Sequence, residues 1–289
     1  MGRIRTIARR SFLIGSAAIA GGVAFGWWKY ATPYANPLAQ DLPEGSATLT
    51  PYVLIDASGV TVIAPRAEMG QGIHSTLAAL VAEEMDLDWT TIKVIHGPAS
   101  HAYFNAAVLE EGVPIAPTDH GWLAETLRAA MHVPAKFLGM QITGGSSSVP
   151  DAFDKMRQAG AVARAALVQA AAQRLGVDPS TLSTRDGAVQ HAGGAIAYAD
   201  LAAEAARVDL PETVALKPRS DWRLLGQSLP RPDMLPKVTG TAAFTADLRL
   251  PGMRFATIRA NPRLGGALLG YDASKARAMA GVEQILELP

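Results

Sequence analysis

The chain has 289 residues, 49% of them hydrophobic and 18% charged, with 26 basic and 26 acidic side chains. That much apolar material supplies a real core and excludes a disordered chain, and the charge balance leaves no global field to draw nucleic acid. The absence of cysteine excludes disulfides, zinc ribbons and cysteine-ligated iron–sulfur clusters within these residues, so a redox centre needs other ligands or a partner.

Residues 1–30 stand apart. Arg3, Arg5, Arg9, Arg10 and Lys29 are basic, no acid occurs, and an apolar run extends from Phe12 to Trp28. Arg9-Arg10-Ser11-Phe12-Leu13 matches the twin-arginine export pattern, whose cargo is folded and often already carries its cofactor. A periplasmic location is therefore expected. The apolar run reaches only about 25 Å as a helix, short of a bilayer core of about 30 Å. Two readings stay open: a cleaved signal, or an anchor in the cytoplasmic membrane with Trp27, Trp28 and Tyr30 at the interface.

Residues 31–50, with Pro33, Pro37, Pro43 and Gly45, read as a linker. From Tyr52 to Ile55 and from Val60 to Ala64 the residues are β-rich, around a turn at Asp56-Ala57-Ser58-Gly59. Leu77, Leu80, Val81 and Met85 fall at helical spacing, with Glu83, Glu84 and Asp86 on the other side. Ile92 to Ile95 reads as a strand. From Gly97 to Thr118 the proline spacing predicts a long loop. A helix is expected over Trp122–Met131. A longer one follows Pro150 and Asp151, with Phe153, Met156, Ala163, Leu167, Ala170 and Leu175 on one face, Gly176 as its stop, and alanines that imply close packing. Asp186-Gly187 marks a turn between short strands, and Asp200 to Arg207 a short helix. Three prolines from Pro230 to Pro236 mark a boundary. Beyond it, β character is expected at Lys237–Asp247, Met253–Ala260 and Val282–Leu288, with a helix at Ala273–Met279, too little to close a core alone.

Two segments carry chemistry. Glu68-Met69-Gly70-Gln71-Gly72-Ile73-His74-Ser75 lies between a predicted strand and a predicted helix. Its glycines let backbone N–H groups approach an anion at a helix start, or they serve a tight turn that needs their backbone angles. The dinucleotide fingerprint fails here because Ser75 stands at its third glycine. Thr143-Gly144-Gly145-Ser146-Ser147-Ser148 runs into the long helix, as a second anion-binding turn or as a polar loop ending in a serine cap. Other candidates are weaker. Glu68 suits a hydrogen-bonded structural role better than that of a base. His96 and His101 lack a nearby acid or cysteine for a metal site. Tyr103, Phe104 and Trp122 suit packing better than a substrate funnel.

Taken in order, Pro65-Arg66-Ala67-Glu68-Met69-Gly70-Gln71-Gly72, Leu80-Val81-Ala82-Glu83-Glu84, Thr143-Gly144-Gly145-Ser146-Ser147-Ser148 and the alanine-rich stretch 159–176 resemble the molybdopterin-binding subunits of the xanthine dehydrogenase, isoquinoline 1-oxidoreductase and aldehyde dehydrogenase family. Lys237-Val238-Thr239-Gly240, with Phe244, Asp247 and Leu250-Pro251-Gly252, resembles the opening of that family's hammerhead domain. The resemblance implies an α+β fold: a molybdopterin-binding domain of mixed sheets and helices over 51–232, then an incomplete hammerhead-type domain over 233–289.

It further implies that Gln71 sits beside molybdenum without ligating it, between Gly70 and Gly72, while Gly144, Gly145, Ser146 and Ser147 contact the pterin or its phosphates. The implied cofactor is molybdopterin cytosine dinucleotide. The implied reaction is hydroxylation of an aldehyde carbon or of a carbon next to nitrogen in a heteroaromatic ring, with water as oxygen source. Electrons would leave through a small [2Fe–2S] subunit to a cytochrome c or membrane acceptor, and no nucleic acid is involved. The family's glutamate base lies near its far carboxyl end and has no counterpart here, so no catalytic residue is expected in this chain. Two further readings stay open: a truncated, non-catalytic fragment or scaffolding half requiring another polypeptide, and a membrane-tethered anion-binding protein.

Overall fold

The computed structural model describes residues 24–28, 30–40, 42–209 and 214–288. The twin-arginine pair Arg9 and Arg10 lies outside the described residues. The chain divides into two units, residues 1–238 and 239–289.

The first unit is α+β. Strands β1 (Ala47–Thr50), β2 (Val53–Asp56), β3 (Gly59–Ala64) and β4 (Lys93–His96) form a four-stranded sheet in chain order. The first three are antiparallel neighbours, and β3 and β4 run parallel. A parallel pair needs a crossover, and helix α1 (Ile73–Met85) is part of it. The period of two shows in β1 and β2, where Ala47, Leu49, Val53 and Ile55 are buried and their neighbours are not. β1 occupies the end of the stretch whose composition reads as linker.

Helices α2 (Trp122–Leu138) and α3 (Ser148–Leu175) follow. α2 runs seven residues past its expected end at Met131, through Pro134, and stops at Gly139 in the left-handed conformation. α3 stops at Gly176, also left-handed. A three-stranded antiparallel sheet of β5 (Ser183–Arg185), β6 (Ala188–His191) and β7 (Gly194–Ala197) leads into α4 (Tyr198–Ala205). The core lies between α1, α3, α4 and the first sheet, around Val62, Leu77, Leu80, Met156, Leu167 and Leu201. The unit closes with the short helix α5 (Met234–Val238), which spans the expected boundary and takes in Lys237 and Val238, the first two residues of an expected β run.

The alanine-rich face of α3 brings α1 close, as its composition implies. A methyl group built on Gly160 would lie 2.9 Å from the Val81 carbonyl oxygen and 3.1 Å from Glu84 Cβ. The first of these is backbone and cannot swing away. Gly160→Ala gains up to about 1 kcal/mol of helix propensity but overpacks at a cost of about 1–3 kcal/mol. A lower melting temperature is expected, and a higher one in calorimetry would show that the helices separate freely.

In the second unit, the described residues 239–288 contain one short α-helix, α6 (Ser274–Arg277), and no strand. The helix was expected and the β runs are a correction. Ala273 is the one buried residue among them. A strand needs a paired neighbour and a covered face, and neither is present within this unit. No helix of the described residues is long and apolar enough to cross a membrane.

Candidate functional site

The two glycine-rich turns are brought together by a buried ion pair. Arg66, just after β3, and Asp151, in the first turn of α3, meet at 2.6 Å with both side chains 1% exposed. Arg66 also donates to the carbonyls of Pro65 and Tyr103 at 2.8 and 2.9 Å. Asp151 Oδ1 accepts from the Ala106 N–H and from Lys155 Nζ, both at 2.6 Å. Every oxygen of this carboxylate is therefore occupied, which burial of a charge requires. Above the pair, the Ala67 N–H donates to Thr143 Oγ1 at 2.9 Å, tying the first turn directly to the second.

In the first turn Gly70 and Gly72 hold φ of +105° and +82°, so glycine is demanded by backbone angle. The turn's amides do not face an external anion. Glu68 folds back, and its carboxylate accepts from the N–H groups of Gly70 at 2.8 Å, Gly72 at 3.1 Å and His74 at 3.1 Å. Arg231 closes the arrangement from the far end of the unit, donating to Glu68 at 3.2 Å and to the Gly70 carbonyl at 2.8 Å. Gln71 is exposed and turned onto its own loop: Oε1 accepts from the Met69 N–H at 2.6 Å and Nε2 donates to the Ala67 carbonyl at 2.8 Å. The structural role expected for Glu68 is what the geometry shows.

Burial opposes ionisation of Glu68, but the Gly72, His74 and Gly70 amides with Arg231 outweigh it and hold the carboxyl below its ordinary value. A carboxyl lowered in the folded state stabilises above its unfolded pKa and loses that contribution as pH falls through the folded value. The Gly70, Gly72 and His74 amide resonances are expected to titrate together in NMR, with one midpoint below 4.5. A midpoint at or above that value would contradict the hold of the turn on Glu68.

In the second turn Gly145 and Ser146 are both left-handed, at φ +56° and +53°. Gly144 has neither a left-handed φ nor any atom within 4 Å of a built Cβ, so the fold itself makes no demand for glycine there. Within the described residues, the N–H groups of Gly145 and Ser146 have no protein acceptor. The buried Ser147 hydroxyl does not cap α3; it donates to the Gly144 carbonyl at 2.7 Å and accepts from Asn105 Nδ2 at 2.8 Å. The Glu111 carboxylate lies beside this turn, 2.6 Å from where a Gly145 Cβ would stand.

Next to the first turn, the His74 and His96 rings stack at 6.1 Å, and both approach the Arg66 carbonyl, at 3.0 and 3.3 Å. Burial holds His74 below its ordinary pKa, against the Arg66 carbonyl and Glu68, which favour its charged form. His101 packs edge-on to Tyr34. Among the aromatic candidates, Tyr103 is fully buried, Phe104 lies under Lys155 at 4.0 Å, and Trp122 is 79% exposed, against its expected packing role. Sequence reasoning placed both turns but missed Arg66, Asp151, Asn105 and Arg231. The one local signal was an arginine ending an apolar strand.

The acids of the Leu80-Val81-Ala82-Glu83-Glu84 motif lie on the side of α1 away from its apolar face, yet that side too is covered. Glu83 and Glu84 are both fully buried. Glu84 pairs with Arg157 at 2.6 Å, and Glu83 accepts the N–H groups of Arg223, Leu224 and Leu225.

No family model matches the chain. It is 30% identical to the isoquinoline 1-oxidoreductase subunit beta of Brevundimonas diminuta over 98% of this chain and 37% of the relative. It is also 30% identical to the membrane-bound aldehyde dehydrogenase [pyrroloquinoline-quinone] of Gluconacetobacter polyoxogenes, over 97% of this chain and 33% of that protein. A shorter match, 39% identical over 23% of this chain and 16% of the relative, is to the nicotinate dehydrogenase large molybdopterin subunit of Eubacterium barkeri. The chain thus spans little more than a third, at most, of the length of these relatives.

Proposed function

Since the chain belongs to the family of isoquinoline 1-oxidoreductase, aldehyde dehydrogenase and nicotinate dehydrogenase subunits, we propose that it supplies the cofactor-holding portion of a molybdenum-dependent oxidoreductase. The observation that carries this reading is the junction of the two glycine turns over the Arg66–Asp151 pair.

The residues fit a pterin cofactor unevenly. The second turn offers the Gly145 and Ser146 N–H groups and the open approach over Gly144, an arrangement suited to phosphate once the neighbouring Glu111 carboxylate turns away. The first turn has given its Gly70, Gly72 and His74 amides to Glu68. Its contribution therefore falls to the Gln71 side chain, whose carboxamide retains a second N–H and a second lone pair for a neighbouring oxygen. The Ser75 hydroxyl, at the start of α1, is buried without a partner among the described residues. In this reading Gln71, flanked by Gly70 and Gly72, would face the metal end, and Gly144, Gly145 and Ser146 would face the dinucleotide phosphates of a cytosine dinucleotide form. The buried Ser147, expected among these contacts, gives both its N–H and its hydroxyl to the Gly144 carbonyl and shapes the turn instead. A molybdenum–pterin centre held there would supply two-electron oxidation of a substrate carbon, with the added oxygen drawn from water.

The substrate is an aldehyde or an N-heteroaromatic compound, and the electron acceptor a small [2Fe–2S] subunit leading to a cytochrome c or membrane acceptor. The twin-arginine residues direct the complex to the periplasm, with residues 1–30 as signal or anchor, and the second unit begins a hammerhead-type domain. The test is metal and nucleotide analysis of the protein purified with its partners from its own host. Stoichiometric molybdenum with a cytidine nucleotide is the expected result, and absence of both sinks the reading. A quinone without molybdenum would instead favour the cofactor in the Gluconacetobacter polyoxogenes relative's name.

A further inference from the structure

Helix α2 is amphipathic with its apolar side turned outward. At 100° per residue, Trp122, Val133, Phe137, Leu123, Leu127 and Leu138 fall within about 160° of arc, and all six are exposed, by 79%, 39%, 44%, 52%, 39% and 66%. The other positions on that arc, Thr126, Ala130 and Pro134, are also exposed and uncharged. The charged residues Glu125, Arg128, His132 and Lys136 lie on the opposite side, and only Ala124 and Ala135 are buried. A surface helix ordinarily buries its apolar stripe. A contiguous exposed stripe of this kind marks an interaction surface.

The charged side is already used by the chain itself. Arg128 donates to the carbonyls of Asp119 and Ala116 at 2.7 and 2.9 Å, and Lys136 donates to those of Tyr30 and Thr32. Helices that lie on membranes present basic residues to the headgroups beside their apolar face. Here those cations are turned to backbone carbonyls, which favours protein over lipid as the cover. The size of that protein follows from the comparisons: 98% of this chain aligns with a relative of which it makes up only 37%. The second unit, considered by itself, has the same need, because Ala273 alone is buried among its described residues 239–288, which gives them no core of their own.

We infer that the outer face of α2 is the docking surface for polypeptide corresponding to the part of the relatives beyond this chain's match, whether joined to this chain or separate. The inference rests on the family membership and not on the cofactor. The full chain, expressed in its own host, would carry a photoreactive benzophenone amino acid in place of Trp122, of Phe137 or, as control, of Glu125. Light is expected to link positions 122 and 137, and not 125, to peptides that align with the unmatched part of the Brevundimonas diminuta relative. Adducts to phospholipid, to residues 1–30, to a second copy or to an unrelated protein overturn it, as does the absence of adducts.

A second measurement guards against misfolding. Leu123→Gln and Leu127→Gln keep the fold and lower the melting temperature by no more than a few degrees, because the two side chains are 52% and 39% exposed. Where the linked polypeptide is a separate chain, each weakens its co-purification by about tenfold or more; where it is joined to this chain, each lowers the yield of the light-induced link from position 137 instead. Retained binding, or an undiminished link, in both overturns the assignment. Molybdenum plays no part in either readout, so failure of the cofactor reading leaves these results standing, and the converse holds.

Discussion

Asp151→Ala is expected to lower the free energy of unfolding by about 3–5 kcal/mol, the cost of breaking a buried pair from one side. The Coulomb attraction is the smaller part of the reason. Arg66 would keep its charge at 1% side-chain exposure with only backbone carbonyls for partners, and its Nε already has none among the described residues. The Ala106 N–H would lose its acceptor at 2.6 Å, and α3 would lose an acid from its first turn, where the helix dipole favours one. Against a usual total of about 5–15 kcal/mol, such a loss leaves a marginal protein. Guanidinium denaturation should show a lower midpoint with the slope unchanged. Hydrogen exchange should be faster at the Ala67 amide, which joins the two turns. A loss below about 1 kcal/mol, the range of an exposed pair, would mean that the turns are held by packing alone.

How far the sequence disclosed this site depends on the range of the interactions. The turns were legible because glycine requirements are local: Gly70 and Gly72 need positive φ, and Gly176 ends α3 as a left-handed residue must. β2, α1 and α3 were legible from their periods. The Arg66–Asp151 pair joins residues 85 positions apart, and no window contains both. β1 was hidden because four residues among prolines acquire strand structure only from pairing with β2. α2 was cut short because proline removes a donor and clashes with the preceding turn, yet its carboxyl end is held by Tyr34, whose hydroxyl donates to the Lys136 carbonyl at 2.5 Å. In the second unit the β-branched and aromatic residues were present and strands were not, because β propensity measures fit to neighbours more than an intrinsic backbone preference. The burial of the acids of α1 was not legible for a related reason. An amphipathic pattern reports which side is apolar, and Glu83 and Glu84 are buried by a segment some 140 residues further on.

That segment gives the second large effect. Glu83→Ala should release residues 223–225 from α1 and cost on the order of 1–3 kcal/mol, because three part-buried backbone donors lose their acceptor together. Glu83 Oε2 accepts from Leu224 N–H at 2.7 Å and from those of Arg223 and Leu225 at 3.0 Å. Glu83→Gln is the sharper experiment. It keeps the shape and leaves an oxygen at the Oε2 position for all three donors, while its N–H₂ meets only the Arg223 N–H that Oε1 shared, so it should recover more than half of the loss. Neighbouring anchors are expected to survive: Arg157 stays paired with Glu84 and stacked between the Phe153 and Trp222 rings at 5.6 and 5.2 Å, and Lys217 stays on Asp86 at 2.6 Å. The release should therefore be local. Hydrogen exchange would rise at residues 223–225 well before it rises in α3. If exchange rose equally throughout the unit, the segment would be part of the core's cooperative unfolding and the Leu80-Val81-Ala82-Glu83-Glu84 motif would stabilise the whole unit. If it rose only at 223–225, the same motif acts as a clasp, holding the chain just before the Arg231 contact that closes the first glycine turn.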